Sequence, residues 1–327
     1  MDLKSLKIYI PLIAILFLIP LIPMPGYVMH TLILVFLWAY LATAWNILGG
    51  FAGQLSLGHA AFFGIAAYTS YFMLTWYNIS PWIGMFIGGI AAVALSIIIG
   101  YPCFRFGIRE VYFALATIAF AEIMKDIFIY LRDITGGSLG IWLPHLGTNP
   151  LYFQFEEKWP YYYVIVTMWL VSLIIFKGMK RLREYLIAIR EDEDVAASIG
   201  INITKYKLLA LAISSFFTGL GGVFYFQYFR YINPHIAFGL ETSLEMALIA
   251  IFGGMYSLWG PTIGSMILTP IAEYLRITLG GTYAGSHLII YGVLLILVIR
   301  FLPKGVYGFY ERITLRKLTS TVARKGE

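Results

Sequence analysis

Runs of about 18 to 22 apolar residues recur along the whole chain, and each is long enough to cross a hydrocarbon layer of roughly 30 Å as an α-helix. That pattern admits few folds, because a bilayer offers no water to unsatisfied backbone groups and only helices or closed barrels can span it. A barrel requires short alternating strands, which this sequence lacks. The runs predict spans over residues 8–24, 28–48, 60–77, 82–103, 111–131, 161–177, 207–227, 241–257, 262–279 and 286–302. The expected fold is therefore all-α: a polytopic membrane protein of about ten transmembrane helices, forming a single domain over residues 1–327. The first run, Ile8 to Met24, follows Lys4 and Lys7 but has no small-x-small cleavage site, and Pro20, Pro23 and Pro25 break its end. It is expected to be a retained span.

Charge supplies the orientation. Only 12% of the residues are charged, with a net charge of +6, and most of the 23 basic residues fall in alternate inter-span segments. These are Lys4 and Lys7, Arg105 and Arg109, the segment 178–206 with its flanking lysines, and a basic tail over 303–327. The positive-inside rule then predicts cytoplasmic termini, a cytoplasmic loop at 178–206 and an extracytoplasmic loop at 132–160. Basic residues at span ends need no nucleic acid to explain them. A lone cysteine, Cys103, and five scattered histidines predict no disulfide framework, metal site or cofactor.

Within the 178–206 loop, Glu191, Asp192, Glu193 and Asp194 stand in a row, followed by Ala196, Ala197 and Gly200. Acidic side chains suit the first turn of a helix, where free N–H groups and the dipole are positive. Val195, Ala196 and Ile199 are expected on one face, with Gly200 ending the helix and Asn202 or Thr204 capping the next. So short a helix is marginal alone and has to be stabilised by packing. It reads either as a solvated interfacial helix or as a small-faced helix that enters a groove on a cytoplasmic partner.

Gly49, Gly50, Gly53 and Gly58 interrupt helical regularity within ten positions, at membrane depth, where a broken backbone survives only if protein or a wet cavity satisfies it. Gln54, Ser56 and His59 lie among them, either as structural hydrogen-bonding groups or on a translocation path. A second glycine pair, Gly253 and Gly254, occupies an equivalent inner span end and gives a faint internal echo of the first. Glu122, midway along its span with Lys125 and Asp126 close behind, is expected to form an ion pair that locks helices together, or to mark a pathway. Glu273 with Arg276 reads as a surface salt bridge. Glu241 and Glu245, at an outer span start, are anchors or contacts for an external protein.

The run Arg190-Glu191-Asp192-Glu193, with Ala196-Ala197 and Gly200-Ile201, resembles the EAA-type coupling loop of ABC importer permeases in its LivM-type branched-chain amino acid form. Trp45 to Gly50 running into Gly53 to His59, Ala121-Glu122-Ile123, Thr135-Gly136-Gly137-Ser138 through Ile141, and Gly253-Gly254 through Ser257 to Gly260-Pro261 are similar to further family signatures. They cover nearly the whole chain in order. The chain departs from the usual Gly-x-Gly-Ser at Gly254-Met255-Tyr256-Ser257, which puts tight backbone packing there in question.

The resemblance implies a permease subunit of an ATP-driven importer in the cytoplasmic (inner) membrane. It would pair with a LivH-type permease, cytoplasmic LivG- and LivF-type ATPases and an extracytoplasmic amino-acid-binding protein. The substrate would be a branched-chain or related neutral amino acid, or urea or a short amide. No G-x-x-x-x-G-K-[ST] occurs, so nucleotide hydrolysis is expected on another chain and not on this one. The rival reading is a self-sufficient secondary transporter using Glu122 or Glu245 as its coupling carboxylate. An intramembrane enzyme would need a nucleophile–base pair or metal cluster that the sequence does not present.

Overall fold

The computed structural model describes residues 15–279, 292–293, 296, 300 and 305–308. The expectations for the start of the first span, for the span at 286–302, for most of the tail at 303–327 and for both termini lie outside those residues.

The fold is an all-α polytopic membrane protein. Helix α1 (Gly26–Asn46) is capped by Pro25 and passes directly into a π-helical turn over Ile47–Phe51. From Ile33 onward every residue of α1 is buried, as suits a helix that is apolar all round and therefore forms the core. Around it stand α2 (His59–Tyr77), α3 (Pro81–Arg105), α4 (Glu110–Tyr130) and α5 (Trp159–Gly178). Two short helices, α6 (Lys180–Glu191) and α7 (Glu193–Ser198), lead into α8 (Ile203–Phe229). After one turn and a half at α9 (Pro234–Phe238) come α10 (Leu240–Gly253) and α11 (Gly260–Leu279). Among the described residues, α1 with its π turn, α3, α5 and α8 are long and apolar enough to cross a membrane.

Two layers result. Helix α1 packs on α5, α8, α10 and α11, while α2 and α3 pack on the far side of α8. Ala66 of α2, Ala92 of α3 and Gly219 of α8 converge where the second group meets, small residues that let these helices approach closely.

Element limits follow the sequence with instructive differences. Helix α8 starts at Ile203, a turn before the expected 207, because Asn202 accepts a hydrogen bond from the Lys205 amide and caps it there. Helix α10 stops at Gly253 and not at 257, because Gly254 has φ +120° and the following residues form a turn. The 132–160 segment is largely irregular but not free. Ile141–Trp142 (β1) pairs antiparallel with Tyr231–Ile232 (β2), and Arg230 donates to the Phe155 carbonyl at 3.2 Å. That latch fixes the segment to the α8–α9 connection.

Candidate functional site

The glycine-broken segment after α1 and the acidic corner between α6 and α7 are far apart in sequence, and the fold brings them into contact. Helix α6 is amphipathic, buries Leu186 and Ile189, and delivers Arg190 to the end of α1. There Arg190 Nη1 donates to the Gly50 carbonyl at 3.2 Å, and its guanidinium lies over the Tyr256 ring, 4.5 Å from the centroid. Gly53 has φ +67°, and a Cβ at this position would stand 2.6 Å from Arg190 Cγ, so the site accepts only a residue without a side chain.

Asp192 then acts as the N-cap of α7, accepting from the amides of Asp194 at 2.9 Å and Val195 at 3.0 Å. Glu193 turns inward, with 13% of its side chain exposed. It pairs with Lys207 of α8, lies 3.0 Å from Arg109 Nε, and accepts from the Gln54 amide at 3.4 Å. Asp194 adds a second contact to Arg109 at 3.1 Å, and these carboxylates raise the affinity of the Arg109 guanidinium for its proton, Asp194 through the hydrogen bond and Glu193 through its charge. One acidic corner thus joins α4, α8 and the broken segment.

The broken segment is tied equally firmly to the last described helices. Asn46 donates to the Ser257 carbonyl at 2.9 Å, and Gly50 lies against the Met255 carbonyl. Despite its departure from the family pattern, the 253–260 turn packs tightly: a Cβ on Gly253 would collide with the Gly260 carbonyl. The close approach is made by Gly253 and Gly260 themselves, and Tyr256 lies outside it, half-exposed with its ring beneath Arg190. The first glycine pair thus packs, through Gly50, on the backbone that follows the second pair.

Gln54, Ser56 and His59 are all buried, at 3% exposure or less, and their polar atoms are turned mainly to protein. His59 Nδ1 is 2.8 Å from Ser56 Oγ, and Nε2 is 2.7 Å from Ser214 Oγ. Ser214 Oγ donates to the Ala44 carbonyl at 2.8 Å, so it accepts from His59 Nε2–H, and Nδ1 is left to accept from Ser56. Trp45 Nε1 donates to the Ser56 carbonyl at 2.7 Å, and Gly58 is pressed against the Thr117 carbonyl. Both ring nitrogens of His59 are thus engaged by protein hydroxyls.

Other expected features divide. Val195, Ala196 and Ile199 do not share a packed face: Ala196 is buried, while Val195 and Ile199 are 58% and 72% exposed and Ala197 is exposed beside them. Ile199 stands at the C-cap, beyond the last helical residue Ser198, and its side chain is not carried onto the buried side. Gly200, at φ +88°, ends the unit as expected, donating to the Ala197 carbonyl at 2.9 Å. Glu122 pairs with Lys125 of its own helix and remains 43% exposed, so the pair locks no two helices together. Glu273 and Arg276 do pair, at 2.7 Å, but the carboxylate end is mostly buried and not on the open surface. Thr135 donates to the Phe128 carbonyl at 2.5 Å and accepts from the Gly137 amide, closing the turn in which Gly136 and Gly137 sit, while Ser138 is exposed.

In the sequence, Arg109 and Lys207 are marked only as basic residues near span ends. The clue to them was four consecutive acids on the same side of the membrane, a local charge excess that calls for cations from other segments.

A family model described as "Branched-chain amino acid transport system / permease component" matches residues 27–299, which include every segment of this site. The chain belongs to that family. The permease is 26% identical over 298 residues to the "High-affinity branched-chain amino acid transport system permease protein LivM" of Escherichia coli, covering 84% of this chain and 68% of that one. It is 24% identical over 288 residues to the corresponding LivH of E. coli, covering 83% of this chain and 91% of that one. A "Probable branched-chain amino acid transport permease protein LivM" of Methanocaldococcus jannaschii is 24% identical over 239 residues, 66% of this chain and 67% of that one. The permease thus spans about two thirds of the length of its LivM relatives. PsaBC from Streptococcus pneumoniae in complex with Fab aligns with a TM-score of 0.47 at 14% identity, over 87% of this chain and 94% of that one, too loose a match to define the fold.

Proposed function

We propose that this permease is one membrane-spanning subunit of an ATP-driven importer in the cytoplasmic (inner) membrane, carrying branched-chain or related neutral amino acids inward by alternating access. Residues 190–200 dock a cytoplasmic ATPase of the LivG or LivF type, a LivH-type permease completes the pore, and an extracytoplasmic binding protein delivers substrate. The names of the LivM and LivH relatives support the substrate class, with urea and short amides as the alternative cargo within the same reading.

The observation that carries the docking role is the two-sided character of α7. Its inner side is anchored to three elements through Glu193, while Val195, Ala197 and Ile199 face outward with no apolar cover. A push on that outer side would be transmitted as a rigid-body shift to the start of α8 and the end of α1. Gln54 bonds this anchor and Gly53 lies against Arg190, so the shift would reach the broken segment that continues into Gly58 and His59.

The test is ATP hydrolysis by the assembled complex in lipid, with the binding protein loaded in turn with leucine, another amino acid, urea or nothing. The docking reading expects stimulation by one loaded form and its loss in Gly200→Pro, because proline cannot adopt φ +88° and lacks the N–H that bonds Ala197. Normal stimulation in that variant sinks the docking role. Solute movement by the purified chain without any ATPase would return the secondary-transporter reading, with Glu122 the first residue to test.

A further inference from the structure

We propose that the groove between the end of α3 and the start of α8 is a binding site for an anionic phospholipid, its phosphate held by Arg105 and Lys205 and its chain lying along Ile97, Leu209 and Ala212. Both helices are long and apolar enough to span a membrane, and Arg105 ends one while Lys205 lies in the first turn of the other. The Thr204 hydroxyl donates to the Phe104 carbonyl at 3.4 Å and holds the two helix ends at the same level. The two cations therefore stand at one membrane boundary.

The groove is an open furrow on the lipid-facing side with about 520 Å³ of free space, room for a glycerophosphate with the upper part of an acyl chain. Its walls are apolar away from the charged end, and Ile97, Tyr101 and Leu209 are exposed there. Neither Arg105 nor Lys205 has a carboxylate partner among the described residues, in contrast to Arg109 and Lys207 nearby. Two unpaired cations above an apolar furrow complement a ligand that is anionic at one end and apolar at the other. Basic pockets between transmembrane helices at the membrane boundary take lipid headgroups in this way. The Tyr101 ring, at the same level, suits the headgroup boundary.

The site can be tested on the full-length protein, purified in mild detergent and titrated with phosphatidylglycerol or phosphatidylcholine, with retained lipid counted by native mass spectrometry. We expect preferential retention of phosphatidylglycerol, reduced about five-fold in Arg105→Gln or Lys205→Gln and more in the double variant, and unchanged in Arg132→Gln at the other end of the bundle. Ala212→Trp should fill the furrow and remove the lipid with both cations intact. Added glycerophosphate at millimolar concentration should not displace it, because the headgroup alone lacks the chain. Equal retention of both lipids, or full phosphatidylglycerol retention in the double variant, overturns the proposal. So does efficient photo-cross-linking from a benzophenone-bearing residue at position 97 to a neighbouring permease subunit in native membranes, since the groove would then be covered by protein.

Discussion

Lys207 is 2% exposed, and its ammonium meets the Glu193 carboxylate inside the protein, joining the second turn of α8 to the acidic corner fourteen residues before it. Removing one member strands the other charge. Glu193→Gln or Lys207→Met alone should lower the stability of the purified permease by about 3–5 kcal/mol, whereas the double variant should recover most of the loss. Chemical or thermal unfolding of the four proteins in detergent measures the cycle, and additive losses would mean that the two side chains act independently.

Gly53 faces Arg190 with a positive φ, so Gly53→Ala combines backbone strain with a collision against Arg190 Cγ. The expected cost is at least about 1 kcal/mol, and Arg190 should leave the Gly50 carbonyl. A cysteine placed at Ala188 would report the shift through faster labelling in the variant. Unchanged labelling would show that the corner accommodates the methyl group.

The outer side of α7 makes the opposite prediction. Ile199→Asp should leave unfolding within about 0.5 kcal/mol of the parent, because its side chain is 72% exposed. The same change should abolish co-purification of the ATPases. A variant that still assembles would refute docking through this surface.

His59 holds Ser56 and Ser214 together, so His59→Leu leaves the Ser56 hydroxyl without its acceptor and Ser214 with only its bond to Ala44, and should cost about 1–3 kcal/mol. If the role is structural, substrate concentration dependence in surviving complexes should be unchanged while their thermal stability falls. A large shift in apparent substrate affinity at normal stability would put His59 on the translocation path instead.

The number and length of apolar runs determined that this chain spans a membrane as helices, since hydropathy and span length are local properties that survive any packing. Asp192, Asn202 and Gly200 were legible for the same reason: caps and left-handed turns act within a few residues of chain. Partnerships were not legible. A row of four acids does not say which one turns inward, and only the fold selects Glu193 by bringing Arg109, Gln54 and Lys207 around it. Likewise Glu122 and Glu193 are both carboxylates near basic residues in sequence. One finds its cation on its own helix, and the other finds cations from two other segments. The difference lies in which elements the fold places around each carboxylate: the start of α4 and α8 converge on Glu193, and that convergence is a property of the whole bundle.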